Sequence, residues 1–571
     1  MPSEDIKGPK ESPDLRLMTY IPLGVCTAAL LISYLGASFE NLSMSYLGRQ
    51  DRWLLVVAAM IAMVAGWNIR GRGPVLLPLR WQAPVTALAL VVLCYAGHRW
   101  LLAGYSLSRD EQMVLFDARI FASGRLVAPL AGEWAPYADA LNTWFMLPIR
   151  QPAAWASSYL PMNAALHAVV GAVGDAALTG PLLVGVGALA LHGCARHLWP
   201  GNREAPLLAL ALYVGSGQIF FTGMTTYAMS AHLALDLVWL WLFLQRRWTA
   251  DIAALGVGFV ATGLHQPLFH PLFAAPVLAL LLLERNWRRA ALFAAGYGAI
   301  CVFWLLWPQW MRSLLVGPQS VVAATGVDYL TRLTDTLRDW RADGFLVMTL
   351  NVLRFLAWQH VLLLPLVVAA VAAIRRGGLP AALACGVVLT IGVMLVILPY
   401  QGHGFGYRYL HGVLGSIILL AVYGWLERVR LHAALRTLMV RTTVAGLLIL
   451  LPIQAWMAHG LFAPYARASA AIDGTGADFA IISEEDVHFA HDLVTNRPDL
   501  SNRPIRLIAE NVNAKLISQL CRSGPSVVVV SDRALAEASA VFGIPTSGRA
   551  PKRNAGLPAA LREAGCRVSV L

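Results

Sequence analysis

Long apolar runs separated by short polar turns fill most of the first 460 residues of the chain. A helix needs about 20 consecutive apolar residues to cross a bilayer, and windows of this kind predict thirteen spans. The predicted spans are 17–36, 53–69, 82–104, 178–196, 206–223, 228–245, 252–267, 271–284, 289–309, 350–374, 380–399, 409–426 and 439–460. A shorter apolar segment, 157–172, predicts a helix that dips into the outer leaflet. The pattern therefore predicts a polytopic α-helical membrane protein.

The pattern changes in the tail, 463–571, where hydropathy drops and no span is predicted. Strand-like runs at 478–483, 505–510, 526–531 and 567–571 alternate with helical patterns at 486–496, 512–522, 533–541 and 557–564. Unbroken β-branched runs such as 527–530 suit a parallel sheet that is covered on both faces. The tail therefore predicts a small α/β domain, and no glycine-rich phosphate loop opens any of its helices.

Charge adds an orientation to this topology. The chain is 58% hydrophobic and 13% charged, with a net charge of +12. Most of the arginines between spans fall in alternate loops: Arg70, Arg72, Arg80, Arg196, Arg203, Arg246, Arg247, Arg285, Arg288, Arg289, Arg375, Arg376, Arg428, Arg430 and Arg436. Loops rich in arginine stay in the cytoplasm, so the polar segment 1–16 is predicted to be a cytoplasmic tail. The net charge then needs no nucleic-acid partner.

Three regions are consequently predicted on the outer side of the membrane: the loops 105–156 and 310–344, and the tail 463–571. Only two of the seven cysteines, Cys521 and Cys566, fall in the tail. An oxidising compartment permits disulfides, so the sequence predicts a Cys521–Cys566 bridge. The other five cysteines lie in predicted spans and are expected to pack in the core.

The first outer loop carries adjacent carboxylates, Asp110 and Glu111, with Asp117 seven residues further on. Acidic side chains beside the hydrocarbon layer are costly and usually have a function. A structural alternative is that Asp110 and Glu111 cap a helix predicted over 110–123, because acids suit a helix N-terminus. Tryptophans in the same loop, Trp134, Trp144 and Trp155, suit either sugar stacking or an interfacial belt.

Polar residues recur at the outer ends of several other predicted spans. They are Tyr159, His265, His270, Arg354, Tyr407 and Arg408. The two histidines are equally suited to capping backbone carbonyls, and Arg354 to pairing with an acid. Arg408 is predicted to begin a helix, where a cation opposes the helix dipole unless an anion is present. Arg408 is therefore the better candidate for binding a phosphate.

With these residues in place, the chain resembles the GT-C class of integral-membrane glycosyltransferases, within it the protein O-mannosyltransferase and aminoarabinose-transferase superfamily. The resemblance rests on Asp110-Glu111 in an early outer loop, on Tyr159-Leu160-Pro161 and on the segment Tyr407-Arg408-Tyr409-Leu410. It covers about 82–460. Two spans precede the one that leads into the acidic loop, where the class usually has one in total. Ser157-Ser158 replaces the lysine common before the proline motif.

The resemblance implies transfer of a sugar from a polyprenyl phosphate to a periplasmic glycan, lipid or protein acceptor, with inversion. Asp110 would be the general base, Glu111 or Asp117 would assist it, and Arg408 with Arg354 would bind the donor phosphate. Tyr407, His265, His270 and Tyr159 complete the expected substrate-binding set. A divalent cation is compatible with these carboxylates, although nothing in the sequence requires one.

Two other functions compete with the transferase. A polysaccharide ligase of the O-antigen type would use a late outer loop, and 310–344 offers Arg332, Arg338 and Arg341 but no histidine. A transporter of lipid-linked glycans would use an acid within the membrane. Asp236 falls in the predicted span 228–245, but no second acid in a neighbouring span accompanies it.

Overall fold

The computed structural model describes residues 13–36, 39, 41–69, 81–141, 144–318, 320–322, 334, 337–338, 340, 342–429, 434–484, 489–542 and 554–571. Helices form most of this part of the chain. They are α1 Pro13–Leu35, α2 Leu42–Tyr46, α3 Arg52–Gly66, α4 Gln82–Trp100, α5 Arg109–Ala122, α6 Ala138–Leu141, α7 Met162–Val173, α8 Thr179–Leu198, α9 Glu204–Val214, α10 Gly217–Thr222, α11 Met229–Leu244, α12 Trp248–Thr262, α13 Phe269–Leu283, α14 Trp287–Leu315, α15 Asp343–Ala357, α16 Leu363–Ala369, α17 Val371–Arg375, α18 Gly378–Ile397, α19 Leu414–Val429, α20 Leu435–Ala445, α21 Leu451–Gly474, α22 Ala514–Leu520, α23 Ala536–Phe542 and α24 Leu557–Glu563.

Five helical segments among the described residues are long and apolar enough to cross a membrane. They are 16–35, 176–198, 287–315, 378–397 and 435–474. The last is a continuous rod, because the π-helical turn Gly446–Leu450 joins α20 to α21. The chain is thus a multi-pass helical protein, and the count of thirteen spans stays a prediction.

Several predicted spans are shorter or more broken than the hydropathy indicates. The predicted span 206–223 is two helices, α9 and α10, and 350–374 falls across α15, α16 and α17. The predicted span 409–426 begins as a single 3₁₀ turn, Arg408–Leu410, and its α-helix starts only at Leu414. Hydropathy averages over a window, so it cannot locate these breaks.

The tail contains the predicted parallel sheet. Strands β5 Phe479–Ile482, β6 Ile505–Ile508, β7 Ser526–Val530 and β8 Arg567–Val570 follow two short pairs earlier in the chain, β1 Ala128–Pro129 with β3 Ala154–Trp155 and β2 Ile149–Arg150 with β4 Val321–Val322. The order across the tail sheet is β6-β5-β7-β8, and all neighbouring strands are parallel.

Two predicted boundaries in the tail differ from the structure. Helix α21 runs to Gly474, so the α/β segment starts later than residue 463. The helix predicted over 486–496 is only a 3₁₀ turn, Ala490–Leu493, and 485–488 lie outside the described residues.

The sheet packs against the first outer loop. Phe116 on α5 and Trp155 share one buried apolar cluster with Ile481 and Leu507 of the sheet. Trp155 also donates a hydrogen bond to the Pro498 carbonyl over 2.9 Å. Burial of large aromatic side chains dominates contacts of this kind. The tail therefore holds α5 in place, and α5 carries the two adjacent carboxylates.

The structure joins Cys521 to Cys566 in the disulfide that the sequence predicts, at the edge of the tail sheet. The two residues are 45 positions apart, and closing a loop of that size stabilises a fold by roughly 4 kcal/mol in the chain-entropy model.

We therefore expect Cys521 and Cys566 to resist a membrane-impermeant thiol reagent in intact, unreduced cells and to react after reduction. A Cys521→Ser/Cys566→Ser variant provides the unlabelled control for tail thiols. Free reaction of both thiols without reductant would contradict the bridge, and labelling only from the cytoplasmic side would invert the predicted topology.

Candidate active site

A cavity of about 850 Å³ opens between the first outer loop, the loops that follow α12 and α18, and the tail. Its polar wall includes Asp110, Tyr159, His265, Gln401 and Arg408. Leu305, Ile397 and Leu398 give it an apolar side. Pockets for small molecules have this size and this mixture of many apolar and a few convergent polar groups. The cavity brings together residues more than 290 positions apart in the chain.

Asp110 and Arg408 form an ion pair in the wall of this cavity. An Arg408 terminal nitrogen (NH2) lies 2.8 Å from Asp110 Oδ2, and the side chains are 2% and 18% exposed, respectively. Tyr159 donates a hydrogen bond to Asp110 Oδ1. The Arg408 guanidinium stacks over the Tyr227 ring, 4.3 Å from its centroid, and its buried Nε has no hydrogen-bond partner in the described structure. A carboxylate and a guanidinium therefore lie together in the cavity wall, and the guanidinium retains one N–H group that can still donate a hydrogen bond.

Burial alone would raise the pKa of Asp110, but Arg408, His265 and Tyr159 lower it overall. Burial alone would likewise lower the pKa of Arg408, while Tyr227 and Asp110 raise it above its usual value. Both groups are consequently ionised at neutral pH. The anion that the sequence analysis required near Arg408 is Asp110, and the helix-dipole argument for Arg408 is wrong, because its backbone opens a 3₁₀ turn and not an α-helix.

Glu111 differs from its neighbour, because it faces away from the cavity and is 1% exposed. Its Oε2 accepts hydrogen bonds from the backbone N–H groups of Leu107 (3.1 Å) and Ser108 (3.3 Å), and Ser108 completes a capping box at the start of α5. The capping alternative therefore holds for Glu111 alone. Burial raises the pKa of Glu111 to about 8, against the opposing effect of these hydrogen bonds.

Glu111→Gln is expected to lower the melting temperature and to reduce activity less than loss of Asp110 does. Unfolded Glu111 titrates near 4.5 and folded Glu111 near 8, so between these values the folded state binds more protons. Stability then falls as pH rises through this window. Melting curves from pH 5 to pH 9 should show a smaller decline in Glu111→Gln than in the wild type, and identical slopes would contradict the raised pKa.

Asp117 organises the loop that carries Tyr159. Its carboxylate accepts hydrogen bonds from Ser157 N (3.1 Å) and from the Ser157 hydroxyl, and burial raises its pKa to about 6. Tyr159 in turn stacks on His265 with a centroid distance of 4.4 Å. The His265 Nδ1 is buried without a hydrogen-bond partner in the described structure. Tyr159 and His265 line the cavity as expected, whereas Asp117 acts through Ser157.

Arg354 and Tyr407 lie outside the wall of the cavity. Arg354 Nε is 3.0 Å from Asp51 Oδ2, and both side chains are 1% exposed. This ion pair is the alternative that the sequence left open, so the assignment of Arg354 to the donor phosphate is not supported. The Tyr407 side chain is fully buried and its carbonyl accepts a hydrogen bond from Gln218. Its neighbour Tyr409 lines the cavity instead.

His270 also lies outside the cavity wall, at the start of α13. Its Nδ1 is 2.6 Å from Asp236 Oδ1, and its Nε2 is 2.6 Å from the Tyr297 hydroxyl. Asp236 thus has a partner from a neighbouring helix, and that partner is a histidine and not a second acid. A paired acid within the bundle needs no transported ion to explain it.

The tail also contributes residues to the cavity, and these were not predicted from the sequence. Phe489, His491 and Asp492 line the same cavity. Asp492 Oδ2 is 3.5 Å from His403 Nε2, and Asp492 Oδ1 accepts a hydrogen bond from the Arg109 backbone N–H over 3.1 Å. The clustered His491-Asp492 pair was a usable signal, but nothing local connects it to residue 110.

Among the three loop tryptophans, Trp144 lines the cavity and is 48% exposed. Trp134 and Trp155 are buried against the sheet, so neither is open to a sugar.

Within the described residues, no three His, Cys, Asp or Glu side chains are grouped closely enough to hold a metal ion. Of the three arginines named for loop 310–344, Arg332 and Arg341 lie outside the described residues.

No protein-family model matches the sequence, and no curated protein matches it. Among solved structures, the chain is similar to ArnT from Cupriavidus metallidurans bound to undecaprenyl phosphate. The two are 11% identical, the alignment covers 81% of this chain and 88% of that one, and the TM-score is 0.50. ArnT from the same organism in the apo state aligns over 79% and 94% with 13% identity and a TM-score of 0.38. ArnT is a GT-C glycosyltransferase, and the chain therefore has a GT-C-like membrane fold.

Proposed function

We propose that this protein is a GT-C-type glycosyltransferase that moves a sugar from a polyprenyl phosphate to an acceptor on the periplasmic side of the inner membrane. The observation that carries the proposal is the Asp110–Arg408 pair in the wall of a cavity with one apolar side. A donor of this kind combines an apolar chain, a phosphate and a sugar. The cavity offers an apolar side for the chain and the Arg408 guanidinium for the phosphate.

Arg408 is the proposed partner of the donor phosphate. A guanidinium presents a planar fork of N–H groups that matches phosphate oxygens, and Arg408 Nε has no acceptor among the described residues. The apolar chain would lie along Leu305, Ile397 and Leu398. The fold neighbour ArnT was solved with undecaprenyl phosphate, which supports a lipid phosphate as the ligand class.

Asp110 is the proposed general base. The acceptor hydroxyl oxygen attacks the anomeric carbon, and its proton passes to an Asp110 carboxylate oxygen. The bond between the anomeric carbon and the phosphate oxygen breaks, and polyprenyl phosphate leaves from the opposite face, which inverts the configuration. Arg408 stabilises the negative charge that develops on the leaving phosphate, a contribution that is often the largest in such reactions.

The decisive experiment is product analysis on purified full-length protein in nanodiscs. The protein is incubated with undecaprenyl-phosphate-linked sugars and with an outer-envelope extract as acceptor source. The transferase predicts release of undecaprenyl phosphate together with transfer of the labelled sugar to the extract. Movement of intact donor across a vesicle bilayer without cleavage would instead support a transporter, and transfer of a whole polysaccharide would support a ligase.

A further inference from the structure

A second cavity, of about 450 Å³, lies between α5, the end of α21 and the tail segment 495–506. Five arginines line it: Arg109, Arg119, Arg497, Arg503 and Arg506. Asp473 is the single acidic residue among the lining residues that the structure describes. Small-molecule pockets begin at about 300 Å³, so the cavity exceeds the need of a few waters. We call it the arginine cavity.

Only some of these five arginines are paired with a carboxylate of the protein. Arg506 is bonded to Asp473 over 2.7 Å and to the Ser469 carbonyl over 3.1 Å. Arg119, Arg497 and Arg503 are exposed. None of these three forms an ion pair with a carboxylate of the described residues. Asp499 interacts with Arg119 and Arg497, and Asp478 with Arg503, only at longer range. The three guanidinium groups therefore line the cavity without a directly bonded carboxylate among the described residues.

Two buried polar atoms of the lining residues are also unsatisfied in the described structure. They are Arg109 Nε and Gln112 Oε1, in side chains that are 2% and 8% exposed. A buried polar atom without a partner is rare and needs an explanation. Arg119 is exposed but not fully solvated: its partial burial and the neighbouring Arg497 lower its pKa, and Asp499 opposes them. An anion would satisfy the Arg109 Nε donor and would reduce the repulsion between Arg119 and Arg497, whereas the acceptor Gln112 Oε1 needs a donor, such as a ligand hydroxyl.

We propose that the arginine cavity is a second anion-binding site, which takes a phosphate group carried by a sugar or by a lipid headgroup. Phosphate fits better than a single carboxylate, because guanidinium groups arrive from both α5 and the tail, and a phosphate has enough oxygens to accept from several at once. The site is separate from Arg408 and does not depend on the proposed transferase activity. Arg109 lines both cavities, so a ligand here would lie next to the residue that precedes Asp110.

Equilibrium dialysis of the full-length protein in nanodiscs of neutral lipid, with radiolabelled inorganic phosphate, tests the proposal. We expect saturable binding that weakens at least tenfold in Arg119→Gln/Arg503→Gln. Arg522→Gln removes an exposed charge from the tail outside the cavity and should bind as the wild type does. Competition with glucose 1-phosphate, or with phosphatidylglycerol added to the nanodiscs, distinguishes a phosphorylated sugar from a lipid headgroup.

Displacement of the labelled phosphate by either competitor supports the site and shows which kind of molecule carries the phosphate group that binds there. The proposal is overturned if the wild type shows no saturable phosphate binding, or if the double variant binds phosphate as the wild type does. It is equally overturned if Arg408→Gln abolishes all binding, because phosphate would then occupy only the first cavity. Both substituted arginines are exposed, and matching melting curves confirm that the double variant is folded.

Discussion

Asp110→Asn is expected to reduce sugar transfer about 100-fold or more, which is the lower end of what a general base contributes. The amide has nearly the shape of the carboxylate and still accepts the Tyr159 hydrogen bond, but it cannot take the acceptor proton. The drop should appear in kcat. Initial rates of undecaprenyl phosphate release, with whichever donor the wild type cleaves, measure it.

The chain offers a matched control for this substitution. Asp175 is also bonded to a tyrosine, over 2.8 Å to Tyr95, and lies 4.0 Å from Arg99, but it does not line the cavity. Asp175→Asn should therefore keep full activity. Retention of more than about a tenth of wild-type turnover in Asp110→Asn would exclude a general-base role, given the usual size of that effect.

The ion pair raises a second question, because a carboxylate with a lowered pKa is a weak base. Arg408 stabilises ionised Asp110. A donor phosphate would compete with Asp110 for the same guanidinium, and an added negative charge raises the pKa of a neighbouring acid. We infer that donor binding moves the pKa of Asp110 upward, toward the range where it accepts a proton effectively. The base would then be activated only when a donor is present.

The sequence indicated the membrane bundle, the parallel tail sheet and Asp110 because each has a local signal. Long apolar runs, β-branched runs and adjacent acids are readable within a short window. A short window of sequence could not show that Glu111 and Asp110 have different roles, because the direction of each side chain depends on the capping box that Ser108 forms with Glu111. It also could not pair Arg354 with Asp51, which lies 303 residues earlier.

The tail illustrates the same limit. Nothing in the sequence near His491 and Asp492 shows that they reach the cavity, because that depends on how the sheet packs on α5. Arg408 was identified for a helix position that it does not occupy, and its place in the cavity wall depends instead on contacts with Asp110 and Tyr227. Long-range packing decides both cases, and a single sequence records no such contacts.

Arg408→Gln is expected to weaken the binding of undecaprenyl phosphate about 30-fold or more, because removing one partner of a buried charge pair costs about 2 kcal/mol or more. Labelled undecaprenyl phosphate in nanodiscs serves as the probe, so no knowledge of the sugar is needed. The substitution also leaves Asp110 without its counter-ion, and melting curves are needed to show that the variant is folded.

Two further arginines test whether the effect is specific to Arg408. Arg376 is exposed and pairs with Glu427 far from the cavity, so Arg376→Gln should bind the lipid phosphate normally. Arg354→Gln breaks the buried pair with Asp51 and should lower the melting temperature, while the folded protein keeps its affinity. If Arg354→Gln weakens binding and Arg408→Gln does not, the phosphate site lies with Arg354, and the Asp110–Arg408 pair is a structural contact.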